Sequence, residues 1–169
     1  NEYMDFNCAG CFFSQLYLHR IVAEFENVKV IQRIIPLEKA CNHNMRFEGH
    51  KGSCLKARYA LAAAKQNKYW QMADVLFNEA PETEKQIIEE ARLLDLDIKK
   101  LKEDANSEQV KNEIQDMIKY ADSQSITGTP TFVIGVNKKI GIDSYGEFKK
   151  YIIEQGGKIQ KGYSVKKLN

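Results

Sequence analysis

Two cysteines, Cys8 and Cys11, stand three positions apart near the start of the chain, in the stretch DFNCAGCFF. Cysteines at this spacing can bind a metal as thiolates, form a static crosslink, or exchange electrons as a dithiol–disulfide pair. A zinc site built on such a pair would need a second pair at similar spacing, which the sequence lacks. The pattern therefore favours redox chemistry and leaves a metal or static role as the alternative.

The flanking segments indicate how the two thiols would differ. Glu2–Phe6 has the pattern of a short strand and Ala9–Glu24 has helical periodicity, so Cys8 lies at the start of a helix. Unpaired N–H groups and the helix dipole favour a thiolate there, with a pKa lowered from roughly 8.5 towards about 3.5–7.5. Cys11, one turn further in, should be less exposed. We therefore expect Cys8 to attack or be attacked and Cys11 to resolve the mixed disulfide.

A second marker, Thr129–Pro130, lies far along the chain in SITGTPTFVIG, directly before a strand-like segment. Proline cannot donate to a strand ladder, so it suits a position where the backbone faces something other than a neighbouring strand. If this peptide bond is cis, the bend could sit beside the cysteines and leave the backbone of Thr129 free to pair with an extended substrate chain. An ordinary trans proline in a turn is the alternative.

Strand patterns occur at both ends of the chain. A β-branched strand is predicted over Val28–Ile35, and two further strands over Thr131–Gly135 and Lys139–Ile142, with a tight hairpin turn at Asn137 and Lys138. The first two strands flank a helix and form a βαβ unit, which demands a right-handed crossover and parallel pairing. The closing hairpin adds antiparallel strands, and the sequence therefore predicts a mixed sheet with helices on its faces.

Helical patterns fill the middle of the chain. Residues 37–52 are polar and contain glycines, as is typical of a loop, and Ser53 could cap the helix that follows. The predicted helices are Cys54–Gln66, Tyr69–Phe77, Thr83–Leu93, Ile98–Glu103, Ser107–Gln124 and, after the hairpin, Gly146–Gln155.

Composition excludes several classes of protein. The 169 residues suffice for one domain with a sizeable core and an insertion. The formal net charge of +2 is spread without blocks of like charge, which argues against a nucleic-acid groove or a membrane-surface patch. The longest apolar stretches fall far below the roughly 18 residues of a membrane span. Because the chain starts at Asn1 almost directly on a strand, we expect a mature form or an excised domain whose leader or anchor has been removed.

These motifs together resemble the thioredoxin-fold disulfide oxidoreductases, and within them the DsbA-like branch. The resemblance rests on CAGC after a strand, GTPTF before the closing hairpin and a long helical insertion, and it covers nearly the whole chain. It implies an α/β fold with a thioredoxin-like mixed sheet flanked by helices and an inserted helical subdomain. The implied division is a core of residues 1–36 and 122–157, a loop and helical insertion of 37–121, and a C-terminal tail of 158–169.

The resemblance also implies the roles of individual residues. Cys8 corresponds to the nucleophile, Cys11 to the resolving cysteine, and Pro130 to the cis-proline that faces them, with Thr129 before it. Glu2 lies six residues before Cys8, where the family commonly has a buried acid beneath the disulfide. A buried carboxylate could relay the proton that Cys11 gains or loses, and burial would raise its pKa. A frayed terminal residue is the alternative for Glu2.

The chain departs from the family pattern between the cysteines. Strongly oxidising members usually carry Pro-His there, and the histidine helps to stabilise the thiolate. Here the dipeptide is Ala9-Gly10, so the potential could be less oxidising and a reductase or isomerase role stays open. The family also usually has another strand before the motif strand, which here is missing or lies upstream.

A second cysteine pair, Cys41 and Cys54, brackets the stretch CNHNMRFEGHKGSC. Four cysteines allow three connectivities. The segment is similar to thioredoxin-like domains associated with vitamin K epoxide reductase homologues, in which the equivalent cysteines pair, and this implies a structural Cys41–Cys54 disulfide outside the reducing cytosol. The alternatives are a second redox pair and a Cys2His2 metal site that includes His43 and His50.

The resulting functional hypothesis is an extracytoplasmic thiol–disulfide oxidoreductase that uses CAGC to exchange disulfides with cysteine-containing polypeptides, as a dithiol oxidase. A membrane redox partner of the DsbB or vitamin K epoxide reductase type would reset it, and no cofactor or metal is expected. The localisation implied is periplasmic or otherwise extracytoplasmic. The alternatives are a disulfide reductase or isomerase kept reduced by a membrane electron donor, and a non-enzymatic metal-binding or chaperone module.

Overall fold

A computed structural model describes residues 1–161, so most of the predicted tail, residues 162–169, lies outside the described residues. The strands are β1 (Glu2–Met4), β2 (Gln32–Ile34), β3 (Thr131–Ile134) and β4 (Asn137–Ile140), and the helices are α1 (Ala9–Glu24), α2 (Ser53–Ala64), α3 (Tyr69–Asn78), α4 (Glu84–Leu93), α5 (Ile98–Asn106), α6 (Glu108–Ser123) and α7 (Tyr145–Glu154).

The four strands form one sheet in the order β2-β1-β3-β4. β1 and β2 run parallel, with Glu2 opposite Gln32, and α1 provides the crossover between them. β3 runs antiparallel to β1, with Phe132 opposite Glu2, and β4 returns antiparallel to β3. This mixed sheet flanked by helices, with α2–α6 inserted between β2 and β3, confirms the predicted thioredoxin-like fold class.

Two hydrophobic clusters hold the layers together. The larger cluster joins the sheet residues Tyr3, Met4 and Ile34 to the inserted helices, and it includes the buried Cys11. The smaller cluster packs α1 against β3 and α7 and consists of Leu18, Ile21, Phe25, Phe132, Phe148 and Ile152. Because α1 contributes to both clusters, the helix that begins at the cysteine pair is fixed along its length. Within residues 1–161, no helix has the length and apolarity needed to cross a bilayer.

Two predicted strand boundaries were wrong. The predicted strand Val28–Ile35 reduces to Gln32–Ile34, because its ladder partner β1 begins only at Glu2, opposite Gln32. The hairpin turn lies at residues 135–136 rather than at Asn137 and Lys138, which belong to β4. Gly135 has a φ of 59°, a conformation that glycine adopts without steric cost, and this places the turn there.

The predicted cap of α2 was also wrong. Ser53 lies inside the helix, and its buried hydroxyl has no hydrogen-bond partner within the described part of the chain. The carboxylate of Glu38 instead accepts hydrogen bonds from the backbone N–H groups of Gly52 (3.0 Å) and Cys54 (2.8 Å). A side chain from the preceding loop thus satisfies the free N–H groups at the start of α2.

Candidate dithiol active site

The cysteine pair lies where β1 passes into α1. Cys8 is the N-cap residue of α1, and its carbonyl accepts the first helical hydrogen bonds, from the N–H groups of Cys11 (3.0 Å) and Phe12 (3.1 Å). Cys8 is partly exposed and Cys11 is fully buried, and both are free thiols in the structure. The predicted difference in accessibility between the two sulfurs is therefore present.

A buried carboxylate fixes the turn that carries Cys8. Asp5, with no exposed surface, accepts hydrogen bonds from the backbone N–H of Asn7 (2.7 Å) and of Leu37 (2.7 Å). It also accepts one from Nδ1 of His50 (2.8 Å). Asp5 was not predicted as a site residue, although an acid next to a strand end is a usable signal, and His50 was expected only as a metal ligand.

Asn7 connects the same turn to the insertion. Its side-chain amide donates to the carbonyl of Lys51 (2.8 Å), and its Oδ1 accepts from the ammonium of Lys56 on α2 (2.6 Å). Lys56 is only 4% exposed, and burial lowers its pKa below the ordinary lysine value. The polar contacts of Asp5 and Asn7 thus fix the turn that carries Cys8 from two directions.

The Thr129–Pro130 segment faces the cysteine pair. Its peptide bond is cis, and the thiol of Cys8 donates to the carbonyl oxygen of Thr129 (3.3 Å). Gly10 lies directly against the proline, since a Cβ at this position would stand 2.9 Å from Cδ of Pro130. The structure therefore brings together the two motifs that are more than 100 residues apart in sequence.

The two thiols differ strongly in proton affinity. A hydrogen bond from the Cys11 thiol, together with the N–H groups of Cys11 and Gly10, lowers the pKa of Cys8 to about 5, against the opposing effect of partial burial. Burial raises the pKa of Cys11 far above its ordinary value, and the neighbouring Cys8 thiolate raises it further. At neutral pH the reduced pair therefore holds one thiolate, on Cys8, and one thiol, on Cys11.

Glu2 is buried beneath the pair, with 1% of its surface exposed. Its carboxylate accepts hydrogen bonds from the hydroxyl of Ser14 and from Nε2 of Gln32 (2.7 Å). Burial raises the pKa of Glu2 to about 7, although these two donors oppose the rise. The Ser14 hydroxyl also lies 2.9 Å from the carbonyl oxygen of Cys11. A hydroxyl has one proton to donate. When Glu2 is ionised, Ser14 donates this proton to the carboxylate; when Glu2 is protonated and donates to Ser14, the hydroxyl can donate to the carbonyl oxygen of Cys11.

The second cysteine pair forms a disulfide between Cys41 and Cys54, with 6.0 Å between the Cα atoms. It ties the 37–52 loop to the first turn of α2, and the side chain of Gln115 on α6 donates to the carbonyl of Cys41 (2.7 Å). Over residues 1–161 the structure contains no group of three or more His, Cys, Asp or Glu side chains that could hold a metal ion. Of the two histidines considered as ligands, His50 contacts Asp5 and His43 is exposed.

A groove of about 780 Å³ opens beside Cys8. Phe12 and Phe77 provide apolar walls, and Lys51, Lys56 and Glu82 provide charges of both signs. Cys8 and Cys11 have pKa values that shift in opposite directions, and they lie at a strand-to-helix junction that faces a cis-proline. This arrangement is suited to dithiol–disulfide exchange.

Comparison with known proteins agrees with this site. The family model described as a DsbA-like thioredoxin domain matches residues 1–152, and the chain therefore belongs to the DsbA-like thioredoxin-domain family. A thioredoxin-like oxidoreductase from Silicibacter pomeroyi superposes with a TM-score of 0.75 at 25% identity, covering 90% of this chain and 83% of that chain. The thiol–disulfide exchange protein alpha-DsbA2 from Wolbachia pipientis superposes with a TM-score of 0.74 at 18% identity, covering 90% and 78%.

A curated relative is much longer than this chain. The Na+/H+ antiporter NhaA 3 of Salinispora tropica is 27% identical over 141 residues, which is 83% of this chain and 20% of that protein. The chain thus spans about a fifth of the length of the curated relatives that it matches. The similarity concerns the thioredoxin-like domain that the structure describes.

Proposed function

We propose that the chain is an extracytoplasmic thiol–disulfide oxidoreductase that acts as a dithiol oxidase on cysteine-containing polypeptides. The observation that carries this proposal is the geometry of the two thiols: Cys8 is partly exposed and faces the cis Thr129–Pro130 bond, whereas Cys11 is buried. The pKa values shift accordingly, downward for Cys8 and upward for Cys11. A Cys8 pKa of about 5 lies between those of thioredoxin, roughly 7, and of DsbA, roughly 3.5. A stabilised Cys8 thiolate favours the reduced form of the pair and so makes its disulfide a better oxidant.

The reaction begins with the oxidised protein. A substrate thiolate attacks the sulfur of Cys8, the Cys8–Cys11 bond breaks, and Cys11 leaves as a thiolate that is protonated through Glu2. The second substrate thiolate then attacks the substrate sulfur of the mixed disulfide. Cys8 leaves as the stabilised thiolate, the substrate has lost two electrons to form its disulfide, and the pair is reduced. A membrane partner of the DsbB or vitamin K epoxide reductase type would reoxidise it.

Thr129 and Pro130 would hold the substrate during this exchange. The carbonyl of Thr129 faces Cys8, and its buried hydroxyl has no hydrogen-bond partner among residues 1–161. An extended peptide that pairs with the backbone of Thr129 would place its cysteine next to the sulfur of Cys8. The groove beside Cys8 offers room for the flanking side chains of such a peptide.

The extracytoplasmic location is supported by the second disulfide. A structural disulfide such as Cys41–Cys54 persists in oxidising compartments and is rare where cellular reductants keep thiols reduced. Measuring free thiols on the protein as isolated from its native compartment tests this directly. Two protected sulfurs at positions 41 and 54 agree with the proposal, and four free thiols contradict it.

Two variants test the chemistry. Cys8→Ser should abolish both insulin reduction and oxidation of a dithiol peptide, since it removes the attacking sulfur. Cys11→Ser should accumulate a mixed disulfide through Cys8 that mass spectrometry detects, because the resolving thiol is gone. Activity retained by Cys8→Ser would contradict the assignment of the nucleophile.

The reduction potential separates the oxidase from its rival within the same fold. Equilibration with glutathione should give a value on the oxidising side of thioredoxin, between about −270 and about −120 mV. A value at or below about −270 mV would instead support the reductase or isomerase. Tight metal binding by a protein inactive in thiol exchange would support a non-enzymatic module.

A further inference from the structure

A chain of side-chain hydrogen bonds leads from buried Glu2 towards the protein surface. Nε2 of Gln32, on the neighbouring strand β2, donates to Oε2 of Glu2 (2.7 Å) and to Oε1 of Gln15 (2.8 Å). The carbonyl oxygen of the same Gln32 amide accepts a hydrogen bond from the hydroxyl of Tyr69 on α3 (2.9 Å). Each polar atom of the Gln32 side chain therefore has a partner.

The chain continues through a second buried amide. Nε2 of Gln15 donates to the carboxylate of Asp74 (2.6 Å), and the ring of His19 contacts the same carboxylate oxygen (2.7 Å). Gln15 is only 2% exposed, whereas the His19 side chain is 49% exposed. The orientation of the Gln15 amide is thus set by a carboxylate near the surface, since an amide oxygen would repel it.

These contacts leave a single favourable orientation for the Gln32 amide. If the Gln32 amide were rotated by half a turn, its carbonyl oxygen would take the place of Nε2. This oxygen would then face the Glu2 carboxylate and the Gln15 carbonyl oxygen at hydrogen-bond distance. Both contacts would then join two acceptors, and inside a protein such unmet pairings are costly.

We propose that Gln32 is a positioning residue for Glu2, which directs an N–H group at the carboxylate that exchanges protons with Cys11. Tyr69 and Gln15 hold the Gln32 amide in this orientation from opposite sides. The inference rests on the proposed function, in which Glu2 relays the proton of the resolving cysteine. Gln32 is a neutral donor, and it therefore stabilises the ionised carboxylate without competing for the proton that the site transfers.

Several charged or titratable groups face Glu2. Cys8 and Cys11 lie at the start of α1, Tyr69 lies on α3, and the amino group of Asn1 directly precedes β1. Among them the amino group favours the carboxylate form and the Cys8 thiolate opposes it. Gln32 also affects the pKa of Glu2, but because Gln32 is neutral, replacing it leaves the net charge of the site unchanged.

The test measures the Glu2 carboxyl directly. In the full chain with Glu labelled by carbon-13, the carboxyl resonance that Glu2→Gln removes is followed against pH by NMR. Gln32→Met deletes the donor at similar size and should raise the Glu2 pKa by about 1–2, because the ionised carboxylate loses a hydrogen bond. Tyr69→Phe, which releases the amide, should cause a smaller rise.

Gln66→Met provides the matched control. Gln66 also has its amide fixed at both ends, by the backbone N–H and carbonyl of Asp97 (2.9 and 3.1 Å), but it does not contact Glu2. The control should leave the Glu2 pKa unchanged.

An unchanged Glu2 pKa in both Gln32→Met and Tyr69→Phe would overturn the proposal, as would an equal rise in Gln66→Met. If Gln32→Met fails to fold, Tyr69→Phe alone carries the test. Failure of the proposed function is a separate result, because wild-type protein inactive in thiol exchange can still show whether Gln32 sets the Glu2 pKa.

Discussion

Replacing Glu2 by Gln should make the protein more stable at alkaline pH. The pKa of the buried carboxyl is raised from 4.5 to about 7, which means that the folded protein binds this proton more tightly than the unfolded chain. The stability associated with the proton is complete below pH 4.5 and is lost as pH rises through about 7. The pKa difference of about 2.5, at about 1.36 kcal/mol per unit, corresponds to roughly 3 kcal/mol.

The assay is urea unfolding of wild type and Glu2→Gln, followed by circular dichroism at pH 4 and pH 8. The oxidised protein is used so that Cys8 does not titrate. The charge of Cys8 has the smallest effect on the Glu2 pKa, so removing that charge by oxidation changes the predicted value little. From pH 4 to pH 8, the free energy of unfolding of the variant should rise by about 3 kcal/mol relative to wild type.

Glu113→Gln is the matched control, because it makes the same change on an exposed face of α6. Its free energy of unfolding should follow wild type at both values of pH. A difference between Glu2→Gln and wild type that stays constant from pH 4 to pH 8 would refute the assignment of Glu2 as a buried acid with a raised pKa.

Three further variants test other parts of the site. Cys11→Ala should raise the Cys8 pKa by at least about 1, followed by thiolate absorbance at 240 nm, because the thiol hydrogen bond is its largest stabilising contact; a curve identical to wild type would contradict this. Replacing Cys41 and Cys54 together by Ser should lower the free energy of unfolding by roughly 3 kcal/mol and leave thiol exchange intact, whereas lost exchange at full stability would indicate a redox role. Gly10→Ala should lower the free energy of unfolding by about 1 kcal/mol. The added methyl group overpacks against the cis-proline, which costs about 1–3 kcal/mol, and the gain in helix propensity is at most about 1 kcal/mol. Equal or higher stability would show that the proline segment moves aside freely.

The parts of the site that local sequence patterns predicted are those fixed by neighbouring residues. Cys8 and Cys11 follow from a strand that precedes a helix, because the spacing alone places both sulfurs in the first turn. The fold class followed from the order of strands and helices, since parallel pairing is required when a helix connects two adjacent strands. In these cases the physical cause lies within a few residues of its effect.

The parts that sequence patterns did not predict depend on contacts between distant segments. His50 reaches Asp5 over 45 residues and Lys56 reaches Asn7 over 49 residues, and nothing in either local sequence marks a partner. The start of β2 depends equally on where its partner strand begins, so the apolar run from Val28 did not reveal it. Side-chain networks and strand ends are therefore tertiary properties, even where the elements themselves are encoded locally.

The contact between Lys56 and Asn7 bears on how this protein could be shortened or recombined. In sequence, residues 37–121 are an insertion into a thioredoxin-like core. The insertion nevertheless brings the ammonium of Lys56 to the turn that carries Cys8, and its helices share a hydrophobic core with the sheet. A deletion that joined residue 36 to residue 122 would expose the apolar side chains of the sheet that pack against the inserted helices. It would also remove Lys56, the hydrogen-bond partner of Asn7. Chimaeras with related domains should therefore exchange the turn between β1 and α1 together with the inserted helices.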